Sequence, residues 1–261
     1  MKTIAIANQK GGTGKTTTAY NLGIALTQQG YRVLMVDFDP QGNLSCYCGI
    51  PPEQDLEQTI TELLMKGAYE KPLSHRECVY QSKRTDDSAP QVDFIPSNLR
   101  LASFELAMGT MMCREVLLKT CLEQYSSQYD YCIIDNPPDI GLNVVNALAI
   151  TDEVIVPVKV DEDALEGLDI VTEQIEDAKA FNPALKLAGV LITSYQNTDG
   201  EAAGVEWLEQ KTDFNILGII RYSKKVAENT FMRKPIYEYS PCCGAAQGYK
   251  KFVTAYTGKA R

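Results

Sequence analysis

Seven consecutive residues near the amino terminus, Lys10-Gly11-Gly12-Thr13-Gly14-Lys15-Thr16, combine the residue types needed to hold a polyphosphate. Glycines at 11, 12 and 14 let the backbone close around phosphate oxygens where a Cβ would intrude. Lys15 supplies a point charge for β- and γ-phosphates, and the Thr16 hydroxyl can join a Mg²⁺ shell. Thr13 and Thr17 belong to the same candidate nucleotide-binding stretch. The pattern departs from the usual one, because Gln9 stands where a further glycine belongs and Lys10 precedes the paired glycines. Taken alone, Lys10 reads as a solvated charge.

Two apolar runs end in carboxylates. Val33-Leu34-Met35-Val36-Asp37-Phe38-Asp39 places Asp37 and Asp39 at i and i+2, on one side of a strand end. Tyr131-Cys132-Ile133-Ile134-Asp135 ends in a third. Carboxylates at the carboxyl ends of neighbouring parallel strands collect at the crevice where open α/β sheets bind ligands. One can bind a metal-coordinated water and another can orient a water for attack on a γ-phosphate. Singly, each Asp also fits a turn or a loop-start cap.

The elements that must position these groups are legible as alternating apolar runs and amphipathic stretches, the signature of a parallel sheet wrapped by helices. Strands are predicted at 3–8, 32–37, 92–95, 131–135, 153–158, 187–193 and 216–220. Helices are predicted at 15–29, 99–125, 164–181, 204–211 and 245–256. The first strand feeds the glycine loop, which feeds a helix amino terminus. That order aims several N–H groups and the positive end of the helix dipole at one spot. The polar segment 82–90 reads as a surface loop. No repeat, low-complexity tract or linker divides the chain, so one domain over 1–261 is expected.

Bulk properties bound the rest. The 261 residues carry a net charge of −9, with 44% apolar and 23% charged residues, an ordinary globular composition. Nucleic-acid binding would therefore need a local basic patch working against the global field. No early apolar segment or membrane-length run is present, which points to the cytoplasm. Eight cysteines without metal-knuckle or redox spacing read as reduced, structural thiols. His75 is the single histidine, so no mechanism needing a His pair is available within one chain.

On these residues the sequence resembles the ParA/MinD branch of P-loop ATPases, with its deviant Walker A loop, and within it short ParA partition ATPases. The resemblance rests on Ala7-Asn8-Gln9-Lys10-Gly11-Gly12-Thr13-Gly14-Lys15-Thr16-Thr17-Thr18-Ala19 and Asp37-Phe38-Asp39-Pro40-Gln41-Gly42-Asn43. It continues through Phe94-Ile95-Pro96-Ser97-Asn98, Ile134-Asp135-Asn136-Pro137-Pro138 and Val156-Pro157-Val158, ahead of Ala164-Leu165-Glu166-Gly167-Leu168. It implies a doubly wound P-loop NTPase fold, a mostly parallel sheet with helices on both faces. The implied cofactors are ATP and Mg²⁺. By the same resemblance Lys10 reaches the partner's nucleotide across an ATP-sandwiched homodimer, and Asp39 positions the attacking water. Lys15 and Thr16 would hold phosphate and Mg²⁺, with Asp37 and Asp135 around the metal and its waters. Arg221 and Ser223 stand where relatives line the adenine with Pro and Asn. Glu162-Asp163 stands where relatives often carry an aromatic residue.

The implied function is partition. An ATP-bound dimer binds DNA without sequence preference, and a ParB-like centromere-binding protein triggers hydrolysis and release. Candidate DNA contacts are Lys224, Lys225, Arg233, Lys234, Lys250 and Lys251. The chain would be nucleoid-associated and would lack the amino-terminal operator-binding extension of larger relatives. The alternative is a MinD-like membrane-associated positioning ATPase, which needs a carboxy-terminal amphipathic helix with large apolar residues. The tail from Gly248 to Lys259 is short and mixed, so no membrane partner is expected. An iron–sulfur relative would need glycine-flanked cluster cysteines, and a bacterial tyrosine kinase a denser cluster than Tyr249 and Tyr256.

Overall fold

The computed structural model describes the chain except for residues 52–53, 70–76, 84–89, 140, 162–163, 212–213 and 259–261; for 164–167 and 211 it describes the backbone alone. The strands are β1 (Lys2–Ile6), β2 (Val33–Asp37), β3 (Tyr80–Gln81), β4 (Asp93–Ile95), β5 (Tyr131–Asp135), β6 (Glu153–Val158), β7 (Lys186–Tyr195) and β8 (Ile216–Arg221). Among the described residues they form one sheet in the order β3-β4-β2-β5-β1-β6-β7-β8. Every pairing is parallel except β3 with β4.

The α-helices are α1 (Lys15–Gln28), α2 (Asn43–Tyr47), α3 (Ile60–Tyr69), α4 (Arg100–Met108), α5 (Leu117–Leu122), α6 (Leu142–Ile150), α7 (Ala164–Ala178), α8 (Asp199–Lys211), α9 (Lys225–Phe231), α10 (Ile236–Tyr239) and α11 (Gly244–Thr257). Side chains that alternate along each strand divide them between two faces. Ile4, Ile6, Met35, Ile133 and Ile155 pack with residues of α1, α10 and α11 on one face. On the other, Leu34, Val36 and Ile134 meet α3, α4 and α5, while Ala5, Val154, Val156 and Ile192 meet α6, α7 and α8. This is the expected doubly wound sheet. Its central strands are apolar on successive positions because both faces are covered.

The predicted single helix over 99–125 is corrected. It divides into α4, a turn at Gly109-Thr110, a 3-10 turn at Arg114–Val116, α5 and a second 3-10 turn at Glu123–Tyr125. Gly109 ends the first piece and Cys113, at φ 55, redirects the chain. The helices α2, α3, α6, α9 and α10 and the two-residue β3 were not predicted. In α6 the sequence Leu142-Asn143-Val144-Val145-Asn146-Ala147-Leu148-Ala149-Ile150 is apolar nearly all round, so it shows no helical period. The expected loop at 82–90 is described only at its ends, and His75, Glu162 and Asp163 lie outside the described residues. All eight cysteines are unbridged.

Candidate functional site

The glycine loop runs from the end of β1 into α1 and is fastened at three points. Asn8 donates its side-chain amide to the Pro157 carbonyl at 2.8 Å and accepts from the Lys10 N–H at 2.9 Å. The Thr193 hydroxyl donates to the Thr13 carbonyl at 2.7 Å. Gly12 and Gly14 sit at φ 74 and 88, the left-handed region that a side chain disfavours. The space where a Cβ would stand at Gly11 or Gly12 is empty to 4 Å, so the loop leaves a bare backbone concavity at the helix amino terminus.

Lys15 is buried at the first position of α1 and donates its ammonium to the Lys10 carbonyl at 3.0 Å. Burial lowers its pKa, opposed by the carboxylates of Asp135, Asp39 and Asp139. Lys10 is directed elsewhere. Its ammonium lies 2.5 Å from Asp161, in a partly exposed ion pair just beyond the carboxyl end of β6.

The carboxylates converge as the strand ends required. Asp37 and Asp135 are register partners on adjacent β2 and β5, both fully buried. Asp37 accepts from the N–H and hydroxyl of Ser45, each at 2.7 Å, and from the Asp39 N–H at 3.3 Å. Burial nevertheless pushes its carboxyl up to about 7, with Asp39 adding to the effect. Asp135 is pushed higher than an ordinary carboxylate by burial and then by Asp37, and the Thr16 hydroxyl beside it only partly offsets this. Neither Asp135 oxygen takes a well-formed hydrogen bond. Asp39, also buried, accepts from the Gln41 N–H at 2.9 Å, and burial raises its pKa.

Beside Gly14 and Thr17 opens a cavity of about 410 Å³. Arg221 and Ser223 line it together with Tyr47, Thr193, Tyr222 and Tyr249, which the sequence did not reveal. Thr193 was within reach of the strand-end rule, because it closes the apolar run of β7. Tyr249 comes from the distant α11, bonded at 3.1 Å to the Thr18 hydroxyl, and no local signal announces it. Ser45 and Asp161, the partners of Asp37 and Lys10, were missed for the same reason. The basic candidates divide. Lys224 borders this same cavity and Lys225 is tied to Glu228 at 2.7 Å. Lys250 and Lys251 line another cavity of about 610 Å³ between α1 and α11.

A family model described as an AAA domain matches residues 1–187. The sporulation initiation inhibitor protein Soj of Bacillus subtilis is 36% identical over 253 residues, covering 95% of each chain. The chromosome partitioning protein ParA of Caulobacter vibrioides is 35% identical over 266 residues, covering 100% of this chain and 96% of its own. The chain belongs to the ParA/MinD family of P-loop ATPases. A solved structure of cobyrinic acid a,c-diamide synthase from Mycobacterium smegmatis, with bound ATP analog and magnesium, superposes with a TM-score of 0.81 at 29% identity. It covers 99% of this chain and 97% of its own.

Family membership makes the chain an ATPase with ATP and Mg²⁺ as cofactors, and the site fits both. The open concavity suits phosphate oxygens, and the unsatisfied buried oxygens of Asp135 suit cation-bound water. Among the described residues no group of three or more His, Cys, Asp or Glu side chains could hold a metal ion. Mg²⁺ is suited to such a site, because it takes few protein ligands and relies on phosphate and water. No helix among the described residues is long and apolar enough to cross a membrane.

Proposed function

We propose that the chain is a ParA-type partition ATPase, a single domain over residues 1–261 that works as an ATP-sandwiched homodimer. In this reading Lys15 and the N–H groups of the loop neutralise the β- and γ-phosphates in cis, and Arg221 and Ser223 border the base. Thr16 and Asp135 hold Mg²⁺ and its waters. Asp37, anchored by Ser45, holds the Asp39 N–H, and Asp39 orients the attacking water. The Mg²⁺ ion supplies charge neutralisation at the phosphates.

The observation that carries the dimer reading is the direction of Lys10. Its own loop already has a buried in-cis lysine, and the Lys10 ammonium rests on Asp161 at 2.5 Å. A cation at the mouth of a phosphate loop, held outside it by a partly exposed carboxylate, is placed to exchange that partner for phosphate on a second copy. Such trans charges raise phosphoryl-transfer rates by about 10³–10⁵ in related systems.

Two copies would also double any basic patch, which suits ATP-gated, sequence-indifferent DNA binding by a chain of net charge −9. A ParB-like centromere-binding protein then triggers hydrolysis and release. The chromosome-partitioning name of the relative from Caulobacter vibrioides supports this reading. The deciding measurement is duplex-DNA binding in the apo, ADP and ATP states, paired with ATPase rates with and without DNA and a partner. Binding of equal strength in all three states would remove the nucleotide gate from the proposal.

A further inference from the structure

Phe231 closes α9 with its side chain 90% exposed, and Met232 beside it is 47% exposed. No aromatic side chain among the described residues is more exposed. Looseness does not explain it, because the turn that follows is clamped from four directions. The buried Asn229 donates its amide to the Lys234 carbonyl at 2.6 Å, and the Lys234 N–H returns a bond to the Asn229 carbonyl at 3.1 Å. The Tyr20 hydroxyl donates to the Arg233 carbonyl at 3.0 Å, and Asn21 accepts from the Ile236 N–H at 2.9 Å. Between them Arg233 is held at φ 53, a strained conformation for a residue with a side chain. Tyr20 and Asn21 belong to α1, the helix that begins at Lys15, so the tip is fixed relative to the phosphate loop.

Cations surround this tip. Lys224 lies seven residues before Phe231, two helical turns away on the same face, and Arg233 and Lys234 follow it closely. Lys225 is taken by Glu228, but Lys224, Arg233 and Lys234 pair with no carboxylate among the described residues. Unpaired cations flanking a rigid apolar knob are an unusual surface for an acidic protein.

Building on the DNA-binding reading above, we infer that Phe231 is a non-ionic DNA contact, set against base or sugar edges while Lys224, Arg233 and Lys234 meet phosphates. Cations position a protein on the duplex, and apolar wedges between base steps are how binders without base-specific contacts gain further hold. The cations suit any polyanion, and the small apolar area of the tip favours DNA over a lipid surface. Phe231 and Met232 together offer less apolar area than one myristoyl chain, which by itself gives only marginal membrane binding.

The test measures binding of the full chain to a duplex of mixed sequence over a salt series, with a non-hydrolysable ATP analogue. Phe231→Ala should weaken binding about tenfold and leave the slope of log affinity against log salt unchanged, because phenylalanine releases no counterions. Lys234→Gln should weaken binding and reduce that slope by about one. Phe231→Trp, made on a Trp207→Phe background, should retain binding, with indole emission that changes when duplex is added. Wild-type affinity in Phe231→Ala overturns the inference. So does loss of dimerisation in that variant, which would make the tip a self-interface. An indole response to anionic phosphatidylglycerol vesicles, with none to duplex, would assign the tip to a membrane and overturn it too. Failure of the unmodified chain to bind DNA in ATP removes the partition reading and this inference together. The other outcomes remove this inference alone.

Discussion

At the scale of single residues, the site is a balance between one buried lysine and three carboxylates. Removing the charge by Lys15→Ala leaves the phosphates without their buried in-cis cation. Nucleotide affinity, measured by calorimetry, should fall by at least about a hundredfold, on the order of 3 kcal/mol. Asp39→Ala should spare that affinity yet cut turnover about 10²–10⁴-fold, since a water-orienting carboxylate acts on the transition state. Equal losses in affinity and turnover would move the role to another residue. The raised carboxyls also make the nucleotide-free chain pH-sensitive. Asp37 rises from an ordinary 3.8 to about 7 on folding, so between those values the folded state binds the extra proton. Its stabilising effect is present at low pH and is lost as pH rises from about 4 to about 7, a change of a few kcal/mol. Asp135, raised for the same reason, acts in the same direction. The melting temperature of the wild-type apo chain should therefore fall more steeply between pH 5 and pH 7 than that of Asp37→Asn. Parallel pH curves would show that Asp37 ionises normally in the folded chain.

At the scale of elements, what could be read in advance was what sequence-local physics dictates. The strands at 131–135 and 153–158 match residue for residue, because buried parallel strands are short apolar runs bounded by turns. The loop and its helix followed from Gly12, Gly14 and Lys15, whose roles are set within a few residues of chain. The hidden parts were those that long-range packing decides. The apolar α6 has no period, the Gly109 break interrupts an otherwise helical pattern, and Tyr249 reaches the cavity beside Gly14 and Thr17 from α11 only because α11 lies close on β8. That approach depends on Gly248, where a Cβ would stand 2.8 Å from the Ile219 carbonyl oxygen and 3.1 Å from the Ile220 Cα. Gly248→Ala gains about 1 kcal/mol in helix propensity. It must also push α11 off a strand backbone that cannot rotate away, and overpacking of that kind costs about 1–3 kcal/mol. The melting temperature should drop by a few degrees. Nucleotide affinity should weaken with it, because Tyr249 moves with the helix. A more stable variant with unchanged affinity would mean the helix has slack at this point.

At the scale of the whole molecule, the question is whether two copies complete each other's sites. One copy already contains a phosphate loop, a buried lysine and the converging carboxylates, yet Lys10 is engaged with Asp161 and not with that loop's interior. Asp161→Asn should therefore favour ATP-dependent dimerisation, and only severalfold, because partly exposed ion pairs contribute about 0–1 kcal/mol. The stronger test uses complementation. Lys10→Ala and Asp39→Ala should each be nearly inactive alone, the first for want of the trans cation and the second for want of the water-orienting carboxylate. In a mixed dimer, the site on the Lys10→Ala chain keeps Asp39 in cis and receives an intact Lys10 from the other chain. The opposite site lacks both groups. One site in two then works, and with random assortment half the dimers are mixed, so about a quarter of wild-type turnover should return on mixing equal amounts. If Lys10 instead serves its own nucleotide, each site of the mixed dimer lacks one essential group and nothing returns. Mass spectrometry or differential tagging verifies that heterodimers form. Silence from verified heterodimers would place Lys10 in cis and remove the reason for a second copy at the reacting phosphate, while recovery near a quarter would show that the shared site is built only by the dimer.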